Sequence, residues 1–252
     1  MNVALAPAVR LEEITKVYGT GRQAVPALDR VSLEVATGEF LCVLGASGCG
    51  KSTLLSLIAG LDRPTSGELT VGLGRPALMF QESALLPWLT VRQNVELPLR
   101  LDRATSSERR ETVDRLLRTV HLRAFAEKRP HQLSGGMRQR VALARSLAQE
   151  ARLLLMDEPF GALDAITRDV LHEDLQAIWE STGLTIVFVT HNVREAVRLG
   201  DRVVLLSSRP GTVAEMWSVD IPRPRTLDSP SVAAMAAQIT ERLRGEIRRH
   251  GH

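Results

Sequence analysis

The sequence predicts an α/β fold with a parallel-sheet core, and three observations predict it. Beyond about residue 150, short apolar runs alternate with helical stretches, the pattern of strands joined by crossover helices. The run Phe40–Leu44 is apolar throughout, as in a strand buried on both faces, and leads through a glycine-rich turn into a helical stretch. Between about Glu82 and Gln149 the apolar residues fall at helical spacing.

The elements follow in order. Val31, Leu33 and Val35 alternate with polar residues, as on a half-buried strand. Gly38 closes a turn before Phe40–Leu44. Leu54–Ala59 is helical and stops at Gly60, and Pro64-Thr65-Ser66-Gly67 is a turn. Glu68–Val71 and Ala77–Phe80 are short strands. Thr105 and Glu108 form a capping box, after which Val113, Leu116, Leu117 and Val120 share one helix face. Ser134 caps a second helix carrying Val141, Ala144 and Ala148. Leu153–Met156, Leu184–Val189 and Val203–Leu206 read as strands, separated by helices near Val170–Trp179 and Val193–Leu199. Pro222, Pro224 and Pro230 mark a loop, and an amphipathic helix follows from Ser231 with Met235, Ile239 and Leu243 on one face.

Composition limits the function classes. At 252 residues, 44% hydrophobic and 24% charged, the chain can bury a sizeable core and is neither disordered nor fibrous. No apolar run approaches the ~18 residues of a membrane span, and Met1–Arg10 shows no secretory pattern. Two cysteines, Cys42 and Cys49, build no disulfide framework and fit a reducing, cytoplasmic setting. The net charge is +3, and only three of the 32 cationic residues are lysine. The pairs Arg109-Arg110 and Arg248-Arg249 read as solvated faces, and aromatics at 4% offer no stacking platform, so nucleic acid is not an expected partner.

The chemistry sits in Gly45-Ala46-Ser47-Gly48-Cys49-Gly50-Lys51-Ser52, a G-x-x-x-x-G-K-[ST] phosphate loop between a predicted strand and a predicted helix, with Thr53 next. Its glycines let several backbone N–H groups converge on one anion, and the helix dipole adds to them. Lys51 supplies a full charge for β- and γ-phosphates, and the Ser52 hydroxyl suits Mg²⁺. Four apolar residues, Leu153–Met156, run into Asp157 and Glu158 at the strand end where open α/β sheets bind ligands. Asp157 suits the metal, and Glu158 suits orienting an attacking water. Cys49, beside Lys51 and a helix N-terminus, is expected to favour its thiolate and to accept alkylating reagents.

Beyond the phosphate loop and acidic strand, Leu133-Ser134-Gly135-Gly136-Met137-Arg138-Gln139-Arg140 resembles the signature of ATP-binding cassette (ABC) ATPases. Gln81 resembles the family's Q-loop, Ala162-Leu163-Asp164 its D-loop, His191 its switch histidine and Tyr18 the aromatic that stacks on adenine. Taken alone, Ser-Gly-Gly is a plain helix cap and His191 a strand-end histidine. In combination and in this order, the motifs span essentially the whole chain.

The resemblance implies a P-loop NTPase of the ABC ATPase type. One domain over residues 1–252 would have a core of about 1–81 and 150–220 edged by an antiparallel sheet. A helical subdomain would lie at about 82–149 and a C-terminal helix at about 231–249. Lys51, Glu158, Gln81 and His191 would be catalytic. Ser52, Gln81 and Asp157 would hold Mg²⁺, and Ser134, Gly135, Gly136 and Asp164 would reach the ATP of a second copy or a related ATPase. Phe80–Trp88, Ser208–Thr212 and Ile221–Arg225 look like the nitrate/sulfonate/taurine importers, although Gly67–Phe80 is short for them. That implies uptake of a small anion through a separate integral-membrane permease, fed by a substrate-binding protein, with this chain on the cytoplasmic face. The apolar Leu85, Leu86, Pro87 and Trp88 would receive a permease helix. A lipid or peptide exporter ATPase and a soluble nucleic-acid or ribosome switch share the catalytic residues and remain open at this point.

Overall fold

The computed structural model describes residues 6–101 and 105–250. In chain order the elements are β1 (Val9–Tyr18), β2 (Val25–Val35), β3 (Phe40–Gly45), α1 (Lys51–Ile58), β4 (Ser66–Val71) and β5 (Ala77–Met79). Three helices follow, α2 (Val91–Leu101), α3 (Ser106–Thr119) and α4 (Gly135–Leu147). The chain then alternates: β6 (Leu153–Asp157), α5 (Ala165–Thr182), β7 (Thr185–Val189), α6 (Val193–Leu199), β8 (Arg202–Leu206), β9 (Val213–Ser218) and α7 (Pro230–His250).

Two sheets form. The six-stranded sheet runs β5-β6-β7-β3-β8-β9, parallel except for the β8–β9 pair. The three-stranded sheet, β2-β1-β4, is antiparallel. Period-two alternation splits each central strand between two apolar layers. Phe40, Cys42, Leu44, Met156 and Phe188 face the helices α2 to α7, while Leu41, Val43, Leu155 and Val189 face α1 and the antiparallel sheet. Both faces are covered, which is why β3 and β7 read as unbroken apolar runs.

Sequence pattern and structure agree on most elements, and the differences have causes. The Thr105–Glu108 capping box starts α3, and the Ser134 hydroxyl caps α4 by accepting the Met137 amide at 3.3 Å. Helix α5 starts earlier than the apolar spacing suggested, because the Asp164 carboxylate caps its first turn. Strand β5 stops at Met79 and leaves Phe80 50% exposed. Helix α2 contains Pro98, a residue that ordinarily ends helices; burial of Val91, Asn94, Val95 and Leu99 carries the helix through it. In Ile221–Arg225 the two arginines satisfy the open end of α6. Arg223 donates to the Leu199 carbonyl, and Arg225 donates to those of Val197 and Gly200. Burial, helped by neighbouring Arg223, brings the Arg225 pKa down to about 10.

Candidate active site

The phosphate loop is a turn from the end of β3 into α1. Gly48 and Gly50 have φ of +75° and +95°, conformations that a side chain strains. A Cβ at Gly50 would also lie 2.7 Å from the Ala27 carbonyl oxygen, so β2 presses directly on the loop. Lys51 is 6% exposed and folds back, its ammonium donating to the carbonyls of Gly45 at 2.9 Å and Ala46 at 3.0 Å. These two bonds satisfy most of the donors of a buried ammonium.

Strand β6 delivers Asp157 and Glu158 beside this loop. Glu158 sits at φ +43°, unusual for a residue with a side chain, and donates its amide to the Val189 carbonyl at 3.0 Å. Its carboxylate lies between a lysine and a histidine: Oε1 is 3.9 Å from Lys51 Nζ, and Oε2 is 2.9 Å from His191 Nδ1. A cleft of about 730 Å³ joins the parts, lined by Lys51, Ser52, Gln81, Asp157 and Glu158, with Ser47, Gly48, Gly50 and Thr53 also on its wall. That volume lies in the range of small-molecule sites.

Other predicted residues are placed elsewhere. Ser134, Gly135 and Gly136 open α4 and do not line this cleft. Gly135 lines a second cleft with Ala162 and Leu163, and Gln81 borders both. Gly136 is a close-packing residue as well: a Cβ there would lie 2.3 Å from Thr167 Cγ2 on α5. The amide of Thr167 donates to Asp164, and this bond holds the Asp164 carboxyl below its ordinary pKa. Tyr18 also stands apart from the cleft. Its hydroxyl donates to Asp62 at 3.0 Å and Lys16 lies 4.8 Å over its ring, although its register partner Val25 lines the wall.

One expectation is overturned. The Cys49 side chain does not line the cleft; it is fully buried in the layer under α1, against Gly45. Burial pushes its thiol pKa up, and Lys51 only partly offsets this. The spacing showed a lysine nearby but not on which side of the turn the sulfur falls. Leu85 to Trp88 divide likewise: Leu85 packs on the main core, while Trp88 is 66% exposed.

The structure gives positions and contacts to residues for which the motifs assigned no role. Gln139 and Arg145 of α4 stitch the Q-loop segment in place. Gln139 donates to the Gln81 carbonyl at 2.8 Å, and Arg145 to those of Ser83 and Ala84 at 2.8 and 2.7 Å. Arg209, at φ +53°, brings a second cation to the phosphate-loop cleft beside Val25, Pro26 and Ala27. Only the docking of its loop onto β2, through Gly211 N to Ala27 O and Asp29 N to Gly211 O, puts it there, so no local signal could have found it.

A buried lysine in the turn at the end of a parallel strand, with paired acids two strands away in the same sheet, defines a nucleoside-triphosphate hydrolase. The chain belongs to the ABC transporter family, whose family model matches residues 28–161, and it is an ATP-binding, ATP-hydrolysing cassette. It is 47% identical over 221 residues to the nitrate import ATP-binding protein NrtD of Synechocystis, covering 85% of this chain and 83% of that protein. An uncharacterised ABC transporter ATP-binding protein of Methanocaldococcus jannaschii, MJ0412, is 44% identical over 247 residues, covering 95% and 92%. Among solved structures, the dimeric post-hydrolysis state of the cassette MJ0796 bound to ADP and Pi aligns with a TM-score of 0.76 at 35% identity, covering 85% of this chain and all of that one.

Proposed function

We propose that this cassette powers uptake of a small inorganic or organic anion, the nitrate class foremost, through a separate membrane permease fed by a substrate-binding protein. The likeness to nitrate import ATP-binding proteins supports that reading. Among the described residues no helix is long and apolar enough to cross a membrane. The chain acts at the cytoplasmic face as one domain, with α2 to α4 and their loops (82–149) as a helical lobe on the core.

Two copies pair head to tail, supported by the dimeric cassettes that the fold resembles. Ser134, Gly135 and Gly136 then reach the γ-phosphate held by the partner's phosphate loop, and Asp164 lies in the joint. Within one copy, Lys51 leaves its two carbonyls for the β- and γ-phosphates, the amides of residues 45–53 cradle them, and Tyr18 and Arg209 serve the base end. Glu158 orients the attacking water, and His191, bonded to it, stabilises the charge that develops. Ser52, Asp157 and Gln81 line the cleft together, a hard-oxygen set that suits Mg²⁺ completed by phosphate oxygens. Such an ion, when bound, would supply positive charge against the phosphate oxygens.

The observation that carries the catalytic reading is the Glu158 carboxylate held between Lys51 and His191 above the phosphate loop. Glu158→Gln tests it. The variant keeps the shape but cannot polarise water, so we expect ATP binding to persist and turnover to fall about 10³-fold, about 4 kcal/mol of barrier. Near wild-type hydrolysis by this variant would refute the assignment.

A further inference from the structure

Behind the switch histidine lies a buried polar chain that no motif announces. Thr190, Glu195 and His172 are 3%, 5% and 2% exposed. His172 on α5 meets Glu195 of α6 through Nε2 and Oε1 at 2.5 Å. The other carboxylate oxygen of Glu195 accepts the Thr190 hydroxyl proton. Thr190 Oγ1 in turn accepts the Asn192 amide at 3.0 Å. His172 Nδ1 has no hydrogen bond among the described residues and stands 3.9 Å from Asp169 Oδ1, so the ring is tied through Nε2 alone. Its edge packs on Phe160, two residues beyond Glu158, with centroids 5.6 Å apart.

The chain therefore ends on both neighbours of His191: on the side chain of Thr190 before it and the amide of Asn192 after it. His191 itself is mostly exposed, and its recorded bond is the one to Glu158. A side chain with so little packing of its own takes its position from its backbone. We propose that His172, Glu195 and Thr190 form a positioning relay that holds His191 on Glu158, tying the switch segment to α5 and the segment after Glu158. Buried polar groups are costly when unpaired, so the bonds His172–Glu195, Thr190–Glu195 and Asn192–Thr190 resist being broken. The inference rests on the role given above to His191.

Thr190→Val tests it, because it removes only the hydroxyl and keeps the volume. ATP turnover, KM for ATP and nucleotide affinity are measured for wild type, Thr190→Val, Thr190→Ser, His191→Ala and the double variant Thr190→Val/His191→Ala. The relay predicts a kcat loss of about tenfold in Thr190→Val with KM within about twofold, the scale of a misplaced acid–base group. It predicts recovery in Thr190→Ser and no added loss when Thr190→Val is placed in the His191→Ala background. Unchanged kcat in Thr190→Val, or an undiminished loss in that background, overturns the relay while leaving the switch reading intact. Unchanged hydrolysis in His191→Ala overturns both. If Thr190→Val is not recovered folded, His172→Gln against His172→Leu decides: Gln can still donate to Glu195 and keeps kcat, Leu loses it, and equal kcat in the two overturns the proposal.

Discussion

Gly136→Ala separates two reasons for a glycine in the signature turn. A Cβ at this position would fall 2.3 Å from Thr167 Cγ2, well inside van der Waals contact, yet 3.7 Å from Thr167 Cβ, an ordinary distance. The clash is thus with one methyl group. Thr167 is β-branched and sits in the first turn of α5, so few rotamers are open to it. Overpacking of this kind costs about 1–3 kcal/mol. For a chain of this size each 1 kcal/mol lowers Tm by about 2–4 °C. Thr167→Ser deletes the clashing methyl and should cost less than about 1 kcal/mol, since the residue is half-buried. The double variant should then recover up to about 3 kcal/mol relative to Gly136→Ala alone. Denaturant midpoints of the four proteins measure this directly. If Gly136→Ala is as stable as wild type, or if Thr167→Ser does not rescue it, the packing reason for Gly136 is wrong. The hydrolysis rate of the rescued double variant then reports whether the turn also serves the phosphate.

Three further outcomes are expected. Cys49, fully buried and with its thiol pKa raised, should resist alkylation in the native protein and react only on unfolding, followed by mass spectrometry; full native labelling contradicts its placement. Trp88→Ala should leave the stability and basal ATPase of the isolated cassette unchanged while lowering its recovery with the permease in membranes, because the ring is exposed while Leu85 packs on the core and buried Asn94 holds the Leu86 backbone; unfolding, or undiminished association, contradicts the docking role. Acid should destabilise the fold below the ordinary carboxylate range of about pH 4. Lys16 lowers Asp62, the Thr105 hydroxyl lowers Glu108 and Arg92 lowers Asp114; at Glu96, burial is outweighed by Arg100 and Arg109. A depressed carboxyl stabilises above its unfolded pKa and loses that contribution as pH falls through its folded one, so denaturant midpoints should drop from pH 4.5 to 3, and less steeply in Asp114→Asn. A midpoint that rises across that interval contradicts the assignment.

What the sequence alone determined is what rests on local spacing. The glycine positions of residues 45–50, the apolar run ending in Asp157-Glu158, the Thr105–Glu108 box and the Ser134 cap are each readable over a few residues, because a turn or cap is satisfied by its own neighbours. Only the tertiary structure decided which of these meet. His191 reaches Glu158 across 33 residues because β6 and β7 are adjacent parallel strands. Arg209 enters the phosphate-loop cleft because Gly211 docks on β2, and Gln139 grips Gln81 because α4 lies behind that segment. Cys49 shows the limit most plainly: its neighbours in sequence pointed to a thiolate, but the side of the turn on which a sulfur lands is set by what packs beneath it. Strand adjacency and side-chain direction are long-range outcomes of burying apolar faces, and no short window of residues encodes them.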